Sequence, residues 1–213
     1  MEDLFPDLGD LEFVDIVGIW SPGLQAYQPT HDEVRAELWM FNNFYMGRSD
    51  LVPDRIFEIH RDSTPVVAGH VWNAQGPIFA QYQRPIYTAI DAEWPGLPRQ
   101  WRRIFPFAEI MRDVDMRAFT CTMSYLLAFA MHCHVKKVRL FGMLMLDEVE
   151  RRQQLPGFMH MIRVVKEAGM EVVVAPLLWA QWETLAASPG YSLEATPFPG
   201  PYGLEKIEAR HHQ

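Results

Sequence analysis

The segment FTCTMSYLLAFAMHCHVKKVRLFGMLM, residues 119–145, decides the fold class of this chain. Small and hydroxylated residues at 120–124 precede an apolar run, which predicts a helix that begins there. After Lys136 the pattern changes to a short apolar strand, Val138–Phe141, that ends at Gly142. A helix followed by such a strand is half of a βαβ unit. The backbone N–H groups at the start of its helix can hold an anion, typically a phosphate.

Length and composition are those of a single soluble domain. A chain of 213 residues fits one domain with at most a small appendage. Its two cysteines, Cys121 and Cys133, lie too far apart along the proposed helix for a disulfide, so a reducing cytoplasm is expected. No apolar run reaches the roughly 18 residues of a transmembrane helix, and the acidic N-terminus lacks the positive start of a signal peptide.

The charge of the chain bears on its partners. The net charge is −8 and the sequence pI is about 5.4, which argues against non-specific nucleic-acid binding. The basic patch is QWRR at residues 100–103, with Arg99 beside it. We interpret it as a solvated turn or helix face.

Strand-like and helix-like segments alternate along the chain. Beyond the opening segment, the predicted strands are Phe13–Gly18, Leu38–Phe41, Ile56–His60, Pro77–Ala80 and Pro85–Ala89 as two strands or one, and Glu171–Ala175. The predicted helices are Ala108–Arg112 and Gly157–Ala168, the second opened by Pro156. Consecutive valines in the last strand are typical of burial on both faces. The alternation predicts an α/β fold, a Rossmann-like, open, mostly parallel sheet with helices on both faces.

The composition changes after the last predicted strand. We expect residues 1–180 to form the α/β domain. Residues 181–213, rich in proline, glycine and aromatics, are expected to form an irregular extension that packs on the domain or on a partner. A homo-oligomer is left open.

Two strand ends carry residues typical of a ligand site. The first strand runs into a Gly/Ser/Pro turn, as nucleotide-binding α/β folds often do, although the turn is neither a GxGxxG motif nor a P-loop. Asn42 and Asn43 follow the second strand, where ligands bind in open α/β sheets; turn formation is the alternative.

Other polar groups have a functional and a structural interpretation. Glu58 and His60 share a strand face as a candidate carboxylate and base, or they form a solvated edge or a structural hydrogen bond. The sequence His-Cys-His at 132–134 suggests zinc, but its two histidines point apart on a helix, so a helix end is favoured and no metal site is predicted. We interpret residues 148–154 as a loop. Its Arg or Gln side chains either bind a phosphate or are only solvated.

A set of motifs resembles a known family. In order they are GIWSPGL, FNNFYMG, DRIFEIH, FPFAEIM, FTCTMSYLLAFAM followed by KKVRLFGMLM, and VVVAPLL. Their order is similar to that of a phage-encoded family of Rossmann-like proteins, which itself resembles bacterial sialyltransferases of variant GT-A fold and 6-hydroxymethylpterin diphosphokinase-like proteins. The resemblance covers roughly residues 13–180.

The resemblance implies a nucleotide site at the carboxyl edge of the sheet. By position in the motifs, the nucleotide-binding residues are expected to be Gly18, Ser21, Pro22, Gly23, Leu24, Asn42, Asn43, Thr120, Cys121 and Thr122. If the sheet order follows the family, His60 is the first choice for a general base, with Glu58 beside it.

Three departures from the pattern put catalysis in question. The first turn is one residue longer and has Gly23 in place of a serine; Leu144 stands where a carboxylate is expected; and the family's basic histidine has no counterpart in register. The resemblance implies a nucleotide- or nucleotide-sugar-binding, glycosyltransferase-like group transferase. The alternatives are a catalytically degenerate nucleotide-binding relative and a non-enzymatic virion or host-interaction protein.

The donor and the acceptor are not specified by any motif. A nucleotide or nucleotide sugar is the expected donor, and no motif requires a divalent metal. The acceptor is a hydroxylated DNA base, a cell-surface glycan or a small metabolite. If the protein is phage-encoded, its expected location is the cytoplasm of the host.

Overall fold

The structure, a computed structural model, describes residues 11–20, 27, 36–42, 44–46, 49–59, 72–89, 96–112, 114–115, 118–143, 148–188 and 191. The strands are β1 Phe13–Trp20, β2 Ala36–Phe41, β3 Arg55–Glu58, β4 Ile86–Thr88, β5 Arg102–Ile104, β6 Lys137–Met143 and β7 Glu171–Val174. The helices are α1 Trp72–Ala80, α2 Phe107–Ile110, α3 Thr122–His132, α4 Glu148–Glu167 and α5 Pro176–Ala186. Short 3₁₀ turns occur at Phe44–Met46 and Arg99–Trp101.

All seven strands form one open, parallel sheet in the order β5-β4-β3-β2-β1-β6-β7. The chain moves outward from β1 to β5, then returns to place β6 on the other side of β1. The direction of winding therefore reverses between β1 and β6, which defines the switch point of a doubly wound sheet. The predicted Rossmann-like α/β class is confirmed.

Apolar side chains form a core on each face of the sheet. On one face, Val14 and Ile16 pack in the same cluster as residues of α3 and α4. On the other, Val17 and Met40 pack with Phe79 of α1. Because alternate residues of a strand point to opposite faces, both faces are covered and the central strands are apolar on both sides.

Helix α3 lies at the centre of the larger core. Its residues 122–130 are all buried, which agrees with the nearly continuous apolar run in the sequence. The Phe129 ring lies 5.4 Å from the ring of Trp39, 5.8 Å from Phe57, 5.3 Å from Tyr87 and 5.4 Å from Phe105, measured between centroids. The Phe129 ring of α3 thus contacts rings of β2, β3 and β4, and also the Phe105 ring that follows β5.

A buried ion pair joins the two strands of the switch point. Arg139 of β6 donates to Asp15 of β1 from Nε to Oδ1 at 2.7 Å and from Nη2 to Oδ2 at 2.6 Å. The Tyr27 hydroxyl donates to the same Oδ2 at 2.8 Å. The guanidinium carbon of Arg139 lies 4.7 Å from the ring centroid of Phe13 and 5.2 Å from that of Phe141. The buried carboxylate of Asp15 needs these donors, because removal of Arg139 would leave its charge buried and unpaired.

A second ion pair lies on the α3 side of the sheet. Arg55 donates to Glu37 from Nε at 2.7 Å and from Nη2 at 2.9 Å, and its Nη1 donates to the Tyr87 hydroxyl at 3.0 Å. The indole of Trp39 also donates to Glu37, at 2.6 Å. The bidentate geometry fixes β2 against β3, since the guanidinium can meet both carboxylate oxygens in only one orientation.

Two segments differ from the prediction. Pro77–Ala80 is the end of α1 and not a strand; only Pro85–Ala89 contains one, β4. Residues 148–154 are not a loop, because α4 begins at Glu148 and includes Pro156. Their sequence, EVERRQQ, is rich in good helix formers, and this outweighed the proline.

Both edges of the sheet also differ from the prediction. Strand β7 is an edge strand with alternating exposed and buried residues, so its valines are not buried on both faces. At the other edge, Arg102 and Arg103 of the basic patch belong to β5, a strand the sequence did not indicate. Helix α5 spans the predicted boundary between residues 180 and 181, and 192–213 lie outside the described residues.

The Tyr27 hydroxyl predicts a pH dependence of stability. Burial, and then the charge of Asp15, raises the pKa of Tyr27 far above its ordinary value. The unfolded chain loses this proton near pH ~10 while the folded protein keeps it, so the stabilisation is complete below about pH 10 and falls as the pH rises further. Tyr27→Phe should lower the free energy of unfolding by about 1 kcal/mol at neutral pH, and this difference should shrink above about pH 10.

Denaturant unfolding of both proteins between about pH 8 and 10.5 measures this difference directly. Subtracting the two curves removes the contribution of every other titrating group, which is common to both proteins. A difference that stays constant over this range would show that Tyr27 is not shielded in the folded state.

Candidate functional site

The carboxyl ends of β1 and β6 form the switch point. The two strands pair in step from Phe13 with Lys137 to Val17 with Phe141, but Trp20 then pairs with Met143. Strand β1 therefore has one more residue than β6 over this interval, which is a β-bulge. Open α/β sheets bind ligands in the crevice at such a point.

Two glycines bring the backbones of β1 and β6 into contact at this bulge. A Cβ atom on Gly18 would lie 2.7 Å from the carbonyl oxygen of Gly142, and one on Gly142 would lie 2.6 Å from the carbonyl oxygen of Gly18. Gly142 also has a positive φ of 64°, which a side chain disfavours. Gly18, predicted to open a turn, instead lies within β1, which continues to Trp20.

The starts of α3 and α4 lie at the same edge of the sheet. Helix α3 precedes β6 and α4 follows it, so both helices have their amino ends at the carboxyl end of the strand. The Thr120 hydroxyl donates to the backbone carbonyl of Gln154 at 2.6 Å, which ties the two starts together. The positive ends of two helix dipoles therefore lie at the carboxyl edge of the sheet, where Gly18 and Gly142 also lie.

The predicted anion-binding residues 120–122 are at the start of α3, as expected, but their side chains are buried. Thr120, Cys121 and Thr122 are each 4% exposed. Cys121 is the residue before the first turn, and its Sγ lies 3.4 Å from the Ser124 hydroxyl. The side chains of this segment are therefore not exposed to a ligand at this edge.

A second group of polar side chains lies at the ends of β2, β3 and β4. Asn42 has a positive φ of 53°, and its N–H donates to the carbonyl of Phe57 at 3.0 Å. Its Oδ1 is buried and accepts no hydrogen bond within the part of the chain that the structure describes. Glu58 is fully buried and pairs in register with Thr88. The solvated-edge interpretation of Glu58 is therefore wrong, because β3 is an interior strand.

The sheet order places the predicted residues along one edge. In the order of the strands across the sheet, these residues are Glu58 of β3, Asn42 after β2, Gly18 of β1 and Gly142 of β6. Glu58 lies two strands from β1, about 10 Å away by the usual strand spacing. Other residues named in the sequence analysis lie outside the described residues: Ser21, Pro22, Gly23, Leu24, Asn43, His60 and Leu144.

The other sequence candidates do not join this site. The edge strand β5 is four strands from β1, and there Arg103 donates from Nη1 to the carbonyls of Gln100 and Arg102, both at 2.9 Å. His132 is the last residue of α3, so the helix-end interpretation of His-Cys-His is confirmed. No group of three or more His, Cys, Asp or Glu side chains suited to a metal occurs among the described residues.

Tyr191 is a site neighbour that the sequence analysis did not identify. Arg152 in the first turns of α4 forms an ion pair with Glu148, and its guanidinium carbon lies 5.9 Å from the Tyr191 ring centroid. Tyr191 is buried. The chain after α5 thus returns to the start of α4, and no local pattern in the sequence indicates this contact.

Comparisons with protein-family models, with curated proteins and with solved structures find no match to this chain. None of the helices in the described ranges is long and apolar enough to cross a membrane. The assignment of a function therefore depends on the geometry of the switch point and on the motifs in the sequence.

The glycine contact predicts a large effect of one methyl group. Gly142→Ala should lower the free energy of unfolding by about 2–4 kcal/mol, because its Cβ would overlap a backbone oxygen and its φ is positive. Gly169→Ala is the matched control: its φ is +95°, but no atom lies within 4 Å of the added Cβ. It should cost about 1–2 kcal/mol from backbone strain alone.

Urea unfolding of both variants and of Gly18→Ala gives the comparison. Gly18→Ala and Gly142→Ala together should cost less than the sum of the single effects, because either methyl group already forces the strands apart. Equal costs for Gly142→Ala and Gly169→Ala would contradict a close contact between β1 and β6.

Proposed function

We propose that this protein is a nucleotide- or nucleotide-sugar-binding group transferase, similar to a glycosyltransferase, with its ligand in the crevice between β1 and β6. The observation that carries the proposal is the reversal of winding between β1 and β6, since open α/β sheets bind their ligands at such a point. Gly18 and Gly142 let the two backbones meet there, which fixes the carboxyl ends of both strands against each other.

The electrostatics of the crevice favour a phosphate. The starts of α3 and α4 both lie at this edge, and the dipole of each helix places a partial positive charge there. Two helix starts on one crevice favour a ligand with more than one anionic oxygen. This is the part of the proposal that the motif resemblance and the geometry support independently.

A group transfer would depend on the same features. A phosphate that leaves a sugar gains negative charge in the transition state, and preorganised N–H groups stabilise that charge without rearrangement. The crevice would also hold donor and acceptor in a fixed orientation. The acid–base role of His60 and Glu58 stays a prediction.

Leu144 favours a second candidate function, a relative that binds a nucleotide but has lost its chemistry. Strand β6 ends at Met143, and the next residue in the sequence is Leu144, where the related families have a carboxylate. The two candidates share the binding site and differ only in whether the bound donor is consumed.

The binding site predicts stabilisation by a nucleotide. In a thermal-shift screen with CMP, UDP, GDP, ADP and their sugar conjugates, with and without Mg²⁺ or Mn²⁺, one ligand at about 100 times its Kd should add about 2.7 kcal/mol to the free energy of unfolding. Asn42→Gly should reduce this shift, because it deletes the carboxamide while keeping a residue that accepts positive φ.

Gln83→Gly is the matched control, since Gln83 has a φ of 50° in an exposed turn. It should leave the ligand-induced shift unchanged. If no nucleotide changes the melting temperature, the proposed function fails. If one does, NMR of the bound nucleotide sugar separates the candidates: slow transfer of the sugar to water, which leaves the free nucleotide, indicates a transferase, and a donor that stays intact favours the degenerate relative.

A further inference from the structure

Arg151 occupies an unusual position on α4. The buried face of this helix is formed by Leu155, Phe158, Ile162 and Val165, all 0% exposed. Arg151 precedes them by 4, 7, 11 and 14 residues, so it lies on the same face, which is the face that packs in the core. The buried face of α4 thus has an arginine at its amino end.

The direction of the helix places Arg151 at the switch point. Side chains of a helix lean toward its amino end, and the first turn of α4 lies beyond the carboxyl end of β6. The bond from Thr120 to Gln154 brings the start of α3 to the same turns. From this direction we place the Arg151 side chain toward the carboxyl end of β6, on the side of the switch point.

The charge of Arg151 is not compensated by the described part of the chain. Its side chain is half-buried, its Nε is buried without a hydrogen-bond acceptor, and no described carboxylate forms an ion pair with it. The neighbouring Arg152, by contrast, is exposed and paired with Glu148. A cation in the first turn of a helix is unfavourable, because the helix dipole is positive there.

We propose that Arg151 binds the anionic group of the ligand, a phosphate or pyrophosphate, in the crevice between β1 and β6. A guanidinium matches two phosphate oxygens with parallel hydrogen bonds. An anion would satisfy the buried Nε, neutralise the charge and interact favourably with both helix starts. The inference rests on the proposed site, and it extends that proposal by naming the side chain that recognises the ligand's charge.

Calorimetric titration with pyrophosphate and with UDP tests this role. Arg151→Gln should weaken pyrophosphate binding about 10- to 100-fold, the usual range for a lost hydrogen bond to a charged group. Arg151→Lys should recover part of it, because the charge remains but the two-pronged geometry is lost. Arg152→Gln removes the same charge one residue away and should change binding less than about 3-fold.

The stability without ligand separates recognition from a structural role. Arg151→Gln should leave the melting temperature of the unliganded protein unchanged or slightly higher, since it removes an uncompensated cation from a helix start. If the melting temperature falls and binding changes only in proportion, Arg151 is structural and the inference is overturned.

The two probes also separate this inference from the proposed function. If the wild type binds pyrophosphate through Arg151 but none of the nucleotides, the nucleotide function fails and the anion site stands. If nucleotides bind equally well to wild type and Arg151→Gln, the anion role of Arg151 is overturned and the function stands. If the wild type binds neither probe, the role of Arg151 is overturned.

Discussion

The ion pair between Asp15 and Arg139 is the constraint on which the site depends. It joins β1 to β6 across 124 positions of sequence, and these are the strands between which the winding reverses. Because the two residues are opposite each other in register, a slip by one position would break the pair and send its charges to the other face. The same register brings Gly18 to Gly142 at the end of the strands, so the charge pair sets the alignment that the backbone contact between the two glycines requires.

Much of the fold could be predicted because its central elements are apolar runs bounded by polar residues. Helix α3 and strands β1, β2, β4 and β6 were found in this way. Two of the differences have local reasons. Strong helix formers precede Pro156, so α4 begins before the proline that the sequence analysis places at its start. Residues 102–104 are too polar to be recognised as a strand. The edge position of β7 could not be predicted, because consecutive valines are equally compatible with an interior strand.

The sequence indicated the carboxyl edge of the sheet for the candidate residues, but not the contacts between them. Gly18 and the start of α3 are sequence signals, whereas the contact with Gly142 needs the pairing of β1 with β6, which no local pattern reveals. One available signal went unused: FVDIVG and VRLFG each place a single charge within an apolar strand. Opposite charges in two such strands indicate that the strands are neighbours, since a buried charge needs a partner.

Arg103 has a consequence for how this sheet can associate. The N–H of Phe105 donates to Thr88 of β4, so by the alternation of a parallel strand the carbonyl of Arg102 faces away from the sheet. The Arg103 guanidinium occupies this acceptor, together with the carbonyl of Gln100 in the preceding 3₁₀ turn. A strand from another chain would have to displace this arginine before it could add to β5. The end of the sheet at β5 is thus guarded by a charged side chain, a known means by which proteins prevent aggregation through their edges.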